Sequence, residues 1–301
     1  MIKGLAITPP VIGRISIGRV VEKNGKRLPE KDDQFTLTTQ VQQRGEWVLH
    51  PLDEALRKAA PGKLRTIPVR LLFNAPDLNL RAEYCLFDRE TGRPVCVGNG
   101  DRCKRVEPDG IAILPCPSPQ GCQFGGPGGC KPYGRLNVTV GDEDEMGSFI
   151  FRTTSFNSIR TLAARLHYFS AVSGNLLACL ALELKLRGKS TTQSYRSAIY
   201  YVDLDVRSGK TLEATITEAR ELDARRKDSG FDQAGLDAAA QLGFSNGAFE
   251  DSPEEAATVM EEFYPESSGN GESETEPPAA NAPTLREKLD RKAALLGGTA
   301  A

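Results

Sequence analysis

The sequence predicts an α+β protein: a mixed or antiparallel sheet with one main packed helix and a zinc-stabilised loop insertion. Three observations predict it. Residues 64–73 and 199–206 alternate apolar and polar side chains as strands do, while residues 157–170 repeat their apolar positions at helical spacing. Strand-like segments stand both before and after that helix, which is the order of an α+β chain. Five of the seven cysteines fall between Cys96 and Cys130, in a stretch rich in glycine and proline.

Taken in order, residues 35–41 place Phe35, Leu37, Thr39 and Val41 on one face of a strand and Thr36, Thr38 and Gln40 on the other. Residues 51–59 read as a short helix with proline in its first turn and Leu52, Leu56 and Ala59 on one side. In the strand at 64–73, Ile67, Val69, Leu71 and Phe73 share a face. Residues 82–87 are expected to pair with it across a turn at 74–77, with Pro68 holding that strand at a sheet edge. Short strands at 136–140 and 149–152 flank an acidic loop, 141–147. The helix at 157–170 carries Ile159, Leu162, Ala163, Leu166 and Phe169, with Ser155 or Asn157 as its cap and Gly174 beyond its end. Strands at 180–186 and 199–206 follow. In the second, Tyr200, Val202, Leu204 and Val206 oppose Tyr201, Asp203 and Asp205.

After residue 210 the composition shifts. Residues 1–210 carry a net charge of +9 and residues 211–301 one of −11, so a basic body bears an acidic tail. That asymmetry points to contact with a polyanion, or to a tail that shields the body from one. Residues 1–210 are expected to form the α+β domain and 211–266 an acidic helical extension, with helices at 212–225 and 233–242. Residues 267–301 form a disordered acidic linker ending in a short amphipathic helix, in which Leu285, Leu289 and Leu296 make an apolar stripe between basic residues. No stretch approaches the apolar length needed to span a bilayer, and the first ten residues lack the apolar run of a signal peptide, so a cytoplasmic protein is expected.

An odd number of cysteines fits reduced thiols or metal ligands better than a closed disulfide framework. Cys85 and Cys179 lie in apolar runs and read as buried thiols. Cys116, Cys122 and Cys130 are separated by short turn-forming loops that bring three sulfurs together at little entropic cost. Cys103 is the expected fourth zinc ligand and Cys96 the alternative; the spacings match no paired C-x2-C pattern. The site reads as structural. His50, at a helix start, and His167, inside the main helix, belong to no H-E-x-x-H or H-x-E pattern. No G-x-S-x-G elbow and no P-loop occur, and Gly98-Asn99-Gly100 reads as a turn. No catalytic constellation emerges, and a metallohydrolase is the last-ranked reading.

These residues carry a resemblance. Ile12-Gly13-Arg14-Ile15-Ser16-Ile17-Gly18, then Gly25-Lys26-Arg27-Leu28-Pro29, Phe35-Thr36-Leu37-Thr38-Thr39 and, after the cysteines, Cys130-Lys131-Pro132-Tyr133-Gly134-Arg135-Leu136-Asn137-Val138 resemble phage recombination directionality factors, the partners of large serine integrases. The likeness spans about residues 4–206 and extends to proteins of mobile genetic elements loosely named hydrolases or metal-binding proteins. It implies an accessory factor that binds an integrase and shifts it from integration to excision without chemistry of its own. On that reading Arg14, Arg19, Lys26, Arg27, Lys131 and Arg135 are the candidates for nucleic-acid or partner contact, with Arg14, Arg19, Lys26 and Arg27 near one another if DNA is touched. A nucleic-acid-binding protein of replication or transcription is the competing reading.

Overall fold

The structure is a computed structural model. It describes residues 10–23, 26–44, 46–60, 62–142, 147–190, 198–244, 249, 259–260 and 263–264, with backbone alone at 19–23, 26–32, 127 and 128.

The strands are β1 (Val11–Lys23), β2 (Lys26–Gln43), β3 (Glu46–Leu49), β4 (Thr66–Leu71), β5 (Leu80–Phe87), β6 (Pro94–Gly98), β7 (Arg102–Glu107), β8 (Gly110–Pro115), β9 (Lys131–Val140), β10 (Ser148–Thr153), β11 (Leu182–Ser190) and β12 (Ala198–Val206). The helices are α1 (Pro51–Ala59), α2 (Pro76–Asn79), α3 (Ser118–Gly121), α4 (Gly126–Gly129), α5 (Phe156–Ser173), α6 (Leu212–Asp228) and α7 (Gln233–Gly243). One mixed sheet holds all the strands, in the order β3-β2-β1-β10-β9-β5-β6-β7-β8. Strand β9 also pairs with β4, which leads through β11 to β12. Only the β1–β10 pair is parallel among the described residues.

Alternation sorts this sheet into two faces. On one, Ile15, Leu37, Leu136, Val138, Phe149 and Phe151 are all buried and join Ile67, Val69, Leu182, Leu184, Val202 and Leu204 in the main core. Helix α5 closes that core with Leu162, Leu166 and Phe169. Each such fully buried side chain contributes about 1.5–3 kcal/mol relative to exposure. The Ser155 hydroxyl accepts the Ser158 N–H at 3.3 Å, and the helix stops at Gly174, whose φ of 70° is the left-handed C-cap that glycine takes without strain. Gly134 lets α5 approach β9, because a Cβ there would lie 2.8 Å from Ile159 Cγ1. Arg165 reaches from α5 to Asp203 on β12 at 3.0 Å.

The expected pairing of residues 64–73 with 82–87 is corrected. Strand β4 pairs with β11 and β9, whereas β5 pairs with β6 and β9. The alternation of 82–87 announces a strand but does not name its neighbour. Nor is Pro68 at a sheet edge. It lies one residue beyond the last β4–β9 pair, Val69 with Val140, so its missing N–H interrupts no ladder there, and its carbonyl accepts the Gly141 N–H at 2.9 Å. The segment expected as a loop over 96–130 is part sheet: β6, β7 and β8 occupy its first half with short turns between them, and the longer loop carrying α3 and α4 follows Pro115. Several helices, not one, pack on the sheet. A second cluster joins Cys85, Phe87, Val97 and Tyr133 to Val259 and Phe263, and a third joins Leu72, Phe73 and Leu78 to Ala240 of α7. The expected linker and terminal helix at 267–301 lie outside the described residues.

Candidate functional site

The cysteines are gathered by strand register. Cys96 pairs with Arg105 and Gly98 with Cys103, so Cys96, Cys103 and Arg105 project from the same face of β6 and β7. Leu86 is the β5 partner of Cys96 and stands on that face too. The turn between β6 and β7 is fixed by the Asn99 side chain, whose oxygen accepts the N–H groups of Asp101 and Arg102, both at 2.9 Å. Cys116 donates its N–H to Asp101 O at 2.9 Å, which ties the end of β8 to the same turn. From there the loop carrying α3 and α4 folds back over the face. Phe124 lies 4.0 Å from the Arg105 guanidinium, and Gly129 approaches Leu86.

Two glycines form the floor. A Cβ at Gly98 would lie 2.7 Å from Cys103 Cβ and 2.8 Å from Cys116 Sγ, and one at Gly125 would lie 2.7 Å from Cys130 Cβ. All seven cysteines are free thiols; Cys96 and Cys103 are buried and Cys116, Cys122 and Cys130 half-buried. Burial pushes the Cys96 thiol up to about 11, against a hydrogen bond from Arg105, and Cys103 adds to the rise. Burial likewise pushes Cys130 up to about 12, with charge on Cys96, Cys122, Cys116 and Cys103 each opposing its ionisation. Cys96 and Cys130 are therefore protonated near neutral pH. The five sulfurs do not converge on one point: among the described residues, no group of three or more His, Cys, Asp or Glu side chains is arranged to hold a metal ion. Of the histidines, His50 caps α1 by accepting the Leu52 N–H at 3.2 Å, and burial lowers its pKa. His167 is exposed, 3.8 Å from Asp77.

The basic candidates separate. Arg14 stacks on Trp47 at 4.2 Å. Arg135 is fully buried, with an ion pair to Glu83 at 2.7 Å. Lys131 donates to the Phe263 carbonyl at 3.2 Å, and burial, with Arg89 nearby, lowers its pKa. Arg19, Lys26 and Arg27 are placed by backbone alone, in a ladder pairing Arg19 with Glu30, Glu22 with Arg27 and Lys23 with Lys26. At about 3.3 Å per residue, the nine residues from Arg14 to Lys23 put Lys26 roughly 30 Å along the hairpin from Arg14. The expected cluster of Arg14, Arg19, Lys26 and Arg27 is thus drawn out along β1 and β2.

The domain that holds these features, β1 through β12, coincides with a match to a family model described as Gp3-like, recombination directionality factor-like, over residues 12–207. The chain belongs to this family. No curated protein and no solved structure matches it. Recombination directionality factor-like proteins are generally non-catalytic accessory proteins, and membership points to a phage recombination accessory role. In this directionality factor-like chain the thiols, Arg14, Lys131 and Arg135 all lie inside the matched span, while α6, α7 and residues 249–264 lie beyond it. No helix of the described residues is long and apolar enough to cross a membrane.

Sequence reasoning missed Arg81 and Arg152, which register brings beside Arg135, and Arg105 among the thiols. It also missed the packing of Val259 and Phe263 on Tyr133, although their spacing of four residues was a usable helical signal.

Proposed function

We propose that this protein is a zinc-stabilised, non-catalytic accessory factor of a mobile genetic element, which binds a serine integrase, and DNA with it, to set the direction of recombination. The observation that carries the reading is the family match, which spans residues 12–207, from β1 to β12. The chemistry of the donor set supports a structural zinc ion, which would have to draw together sulfurs that stand apart in this structure. Five sulfurs share one face and its covering loop, Arg105 beside them favours thiolate, and Gly98 and Gly125 leave space that a Cβ would fill. Cys103, Cys116, Cys122 and Cys130 would hold the ion, with Cys96 as the alternative fourth ligand. Zinc would supply cohesion and no reaction chemistry. It would replace the thiol protons and order a loop that has few apolar side chains.

Two measurements test this. Metal analysis of the purified protein should give one zinc per chain, and serine at Cys116, Cys122 and Cys130 together should remove it and loosen the loop. Absence of zinc, or unchanged folding in the triple variant, overturns the metal reading. Co-purification with the integrase encoded by the same element tests partnership, and failure to associate at micromolar concentrations counts against it.

A further inference from the structure

The sheet ends, beyond β7, on strand β8, and among the described residues no strand pairs with its outer side. Free edges of a sheet are normally blunted by charge, proline or brevity. Of the other ends, β3 is four residues long and begins with Glu46, and β12 carries Asp203 and Asp205. Strand β8 holds no charged residue and no proline before its last position, Pro115. Its register with β7 runs without a bulge from Gly110 to Pro115. Ile111 and Ile113 are 58% and 66% exposed, and Val106, the β7 partner of Ile111, is 46% exposed. By alternation these three side chains share the face opposite Cys103, so an apolar strip runs along an open edge.

The hydrogen bonds at the turn fix which way the backbone groups of β8 point. Cys116 donates its N–H to the Asp101 carbonyl at 2.9 Å, and Asn99 donates to the Arg102 carbonyl at 3.0 Å. Bonded and non-bonded pairs alternate along an antiparallel ladder, so β8 is tied to β7 through Leu114, Ala112 and Gly110. The N–H and C=O groups of Ile111 and Ile113 therefore point away from β7, and Pro115, at the next such position, takes no donor from that ladder. A two-fold rotation centred on Ala112 sets Ile111 of one copy opposite Ile113 of another, which uses every outward donor and acceptor of both isoleucines. A slide that brings Ile111 against Pro115 leaves the Ile111 carbonyl without a donor, and the opposite slide sets Ile113 against Asp109, before the strand begins. The centred register also places Asp109 of one copy beside Pro115 of the other, whose β7 partner is Arg102. Arg102 and Asp109 are both exposed, and within one copy they stand roughly 17 Å apart along the hairpin.

We propose that β8 is a self-association edge: two copies of this chain join β8 to β8, antiparallel about a two-fold axis at Ala112, into one continuous sheet. The axis is perpendicular to the sheet, so both thiol faces lie on one side of it and the two strips of Val106, Ile111 and Ile113 merge on the other. There Ile111 of each copy stands directly opposite Ile113 of the other, as a cross-strand apolar pair. A second copy fits this edge better than an unlike strand because the edge complements itself three ways: in hydrogen bonds, in apolar side chains, and in the Arg102 and Asp109 charges at its ends. The inference rests on neither the zinc nor the integrase reading.

Sedimentation equilibrium of the full chain at low salt should show a reversible monomer–dimer equilibrium over about 1–100 μM, as suits an interface below the standard size. Ile113→Pro removes an outward N–H but no bond between β7 and β8, so it should keep the circular dichroism of the parent and weaken dimerisation at least about tenfold. Arg102→Glu and Asp109→Arg should each weaken the dimer by about two- to fivefold, and the two together should restore it. The distance between them within one copy means that such a rescue can only act between copies. A chain that stays monomeric at every concentration overturns the proposal and leaves the edge to a strand of another protein. A dimer that survives Ile113→Pro unchanged overturns it equally. If Ile113→Pro does not fold, the charge exchange decides: unaltered dimerisation in both single variants, or no recovery in the double, overturns the proposal.

Discussion

Gly98→Ala is the smallest change that should break the thiol face. Ordinary contact between carbon atoms is about 3.5–4.0 Å, whereas the new methyl would meet Cys103 Cβ at 2.7 Å, Cys116 Sγ at 2.8 Å and Arg102 O at 3.1 Å. Cys103 Cβ and Arg102 O cannot rotate aside, because both are fixed to the backbone of β7. The β6–β7 pair must therefore part by close to 1 Å at the one register step that seats two of the cysteines. Overpacking of this kind costs about 1–3 kcal/mol, and contact with two fixed atoms places the expected loss near the upper end. Gly129→Ala is the control: its Cβ would meet only the end of the Leu86 side chain, at 3.2 Å, and should cost under about 1 kcal/mol. Urea denaturation at equilibrium measures both, and metal analysis should show zinc reduced in Gly98→Ala alone. If the two variants unfold at the same urea concentration, or Gly98→Ala retains full zinc, the packing argument for this site is wrong.

Other consequences are equally open to measurement. Asp53, buried on α1, accepts the Leu37 N–H at 2.9 Å and pairs with Arg57 at 2.7 Å, so Asp53→Ala should destabilise the fold by about 2–4 kcal/mol; a loss under about 0.5 kcal/mol in urea would contradict this anchor. Phe263→Ala removes a fully buried ring 4.8 Å from Phe87, and limited proteolysis should then cut after residue 244 while the β1–β12 core survives. Burial pushes the Asp142 carboxyl up, but hydrogen bonds and charge from Arg207 and Arg70 outweigh it and hold the group below its ordinary 3.8. Its contribution is therefore present above that value and is lost as pH falls through the lower folded value. Asp142→Asn should flatten the acid limb of the stability curve below about pH 4 and leave its shape near pH 7 unchanged; an unaltered acid limb would refute the assignment.

How legible each part was depended on how local its cause is. Helix α5 was readable because its apolar period, Ser155 cap and Gly174 stop all lie within the helix and its ends. Strand β12 was readable because its alternation survives folding, with Val202 and Leu204 inward. From Tyr133 onward β9 is buried on both faces, so alternation could not mark its full length. Strands β6 to β8 were hidden behind their cysteines: Cys96 and Cys103 were read as loop ligands, yet the same positions satisfy a strand register. Sequence singled out the five cysteines of residues 96–130, but it could not show that a side chain at Gly98 would collide with Cys103 and Cys116. The arginine neighbours on β5, β9 and β10 were invisible for a stricter reason. Arg81, Arg135 and Arg152 are distant in sequence and become neighbours only when β5, β9 and β10 pair.

The most direct test of the proposed accessory role is recombination in vitro with the element's own integrase and paired attachment sites, with and without this protein. The account predicts that adding the protein suppresses integration and permits excision, and that the zinc-free triple serine variant does neither. Integration and excision at the same rates with and without the protein would contradict it.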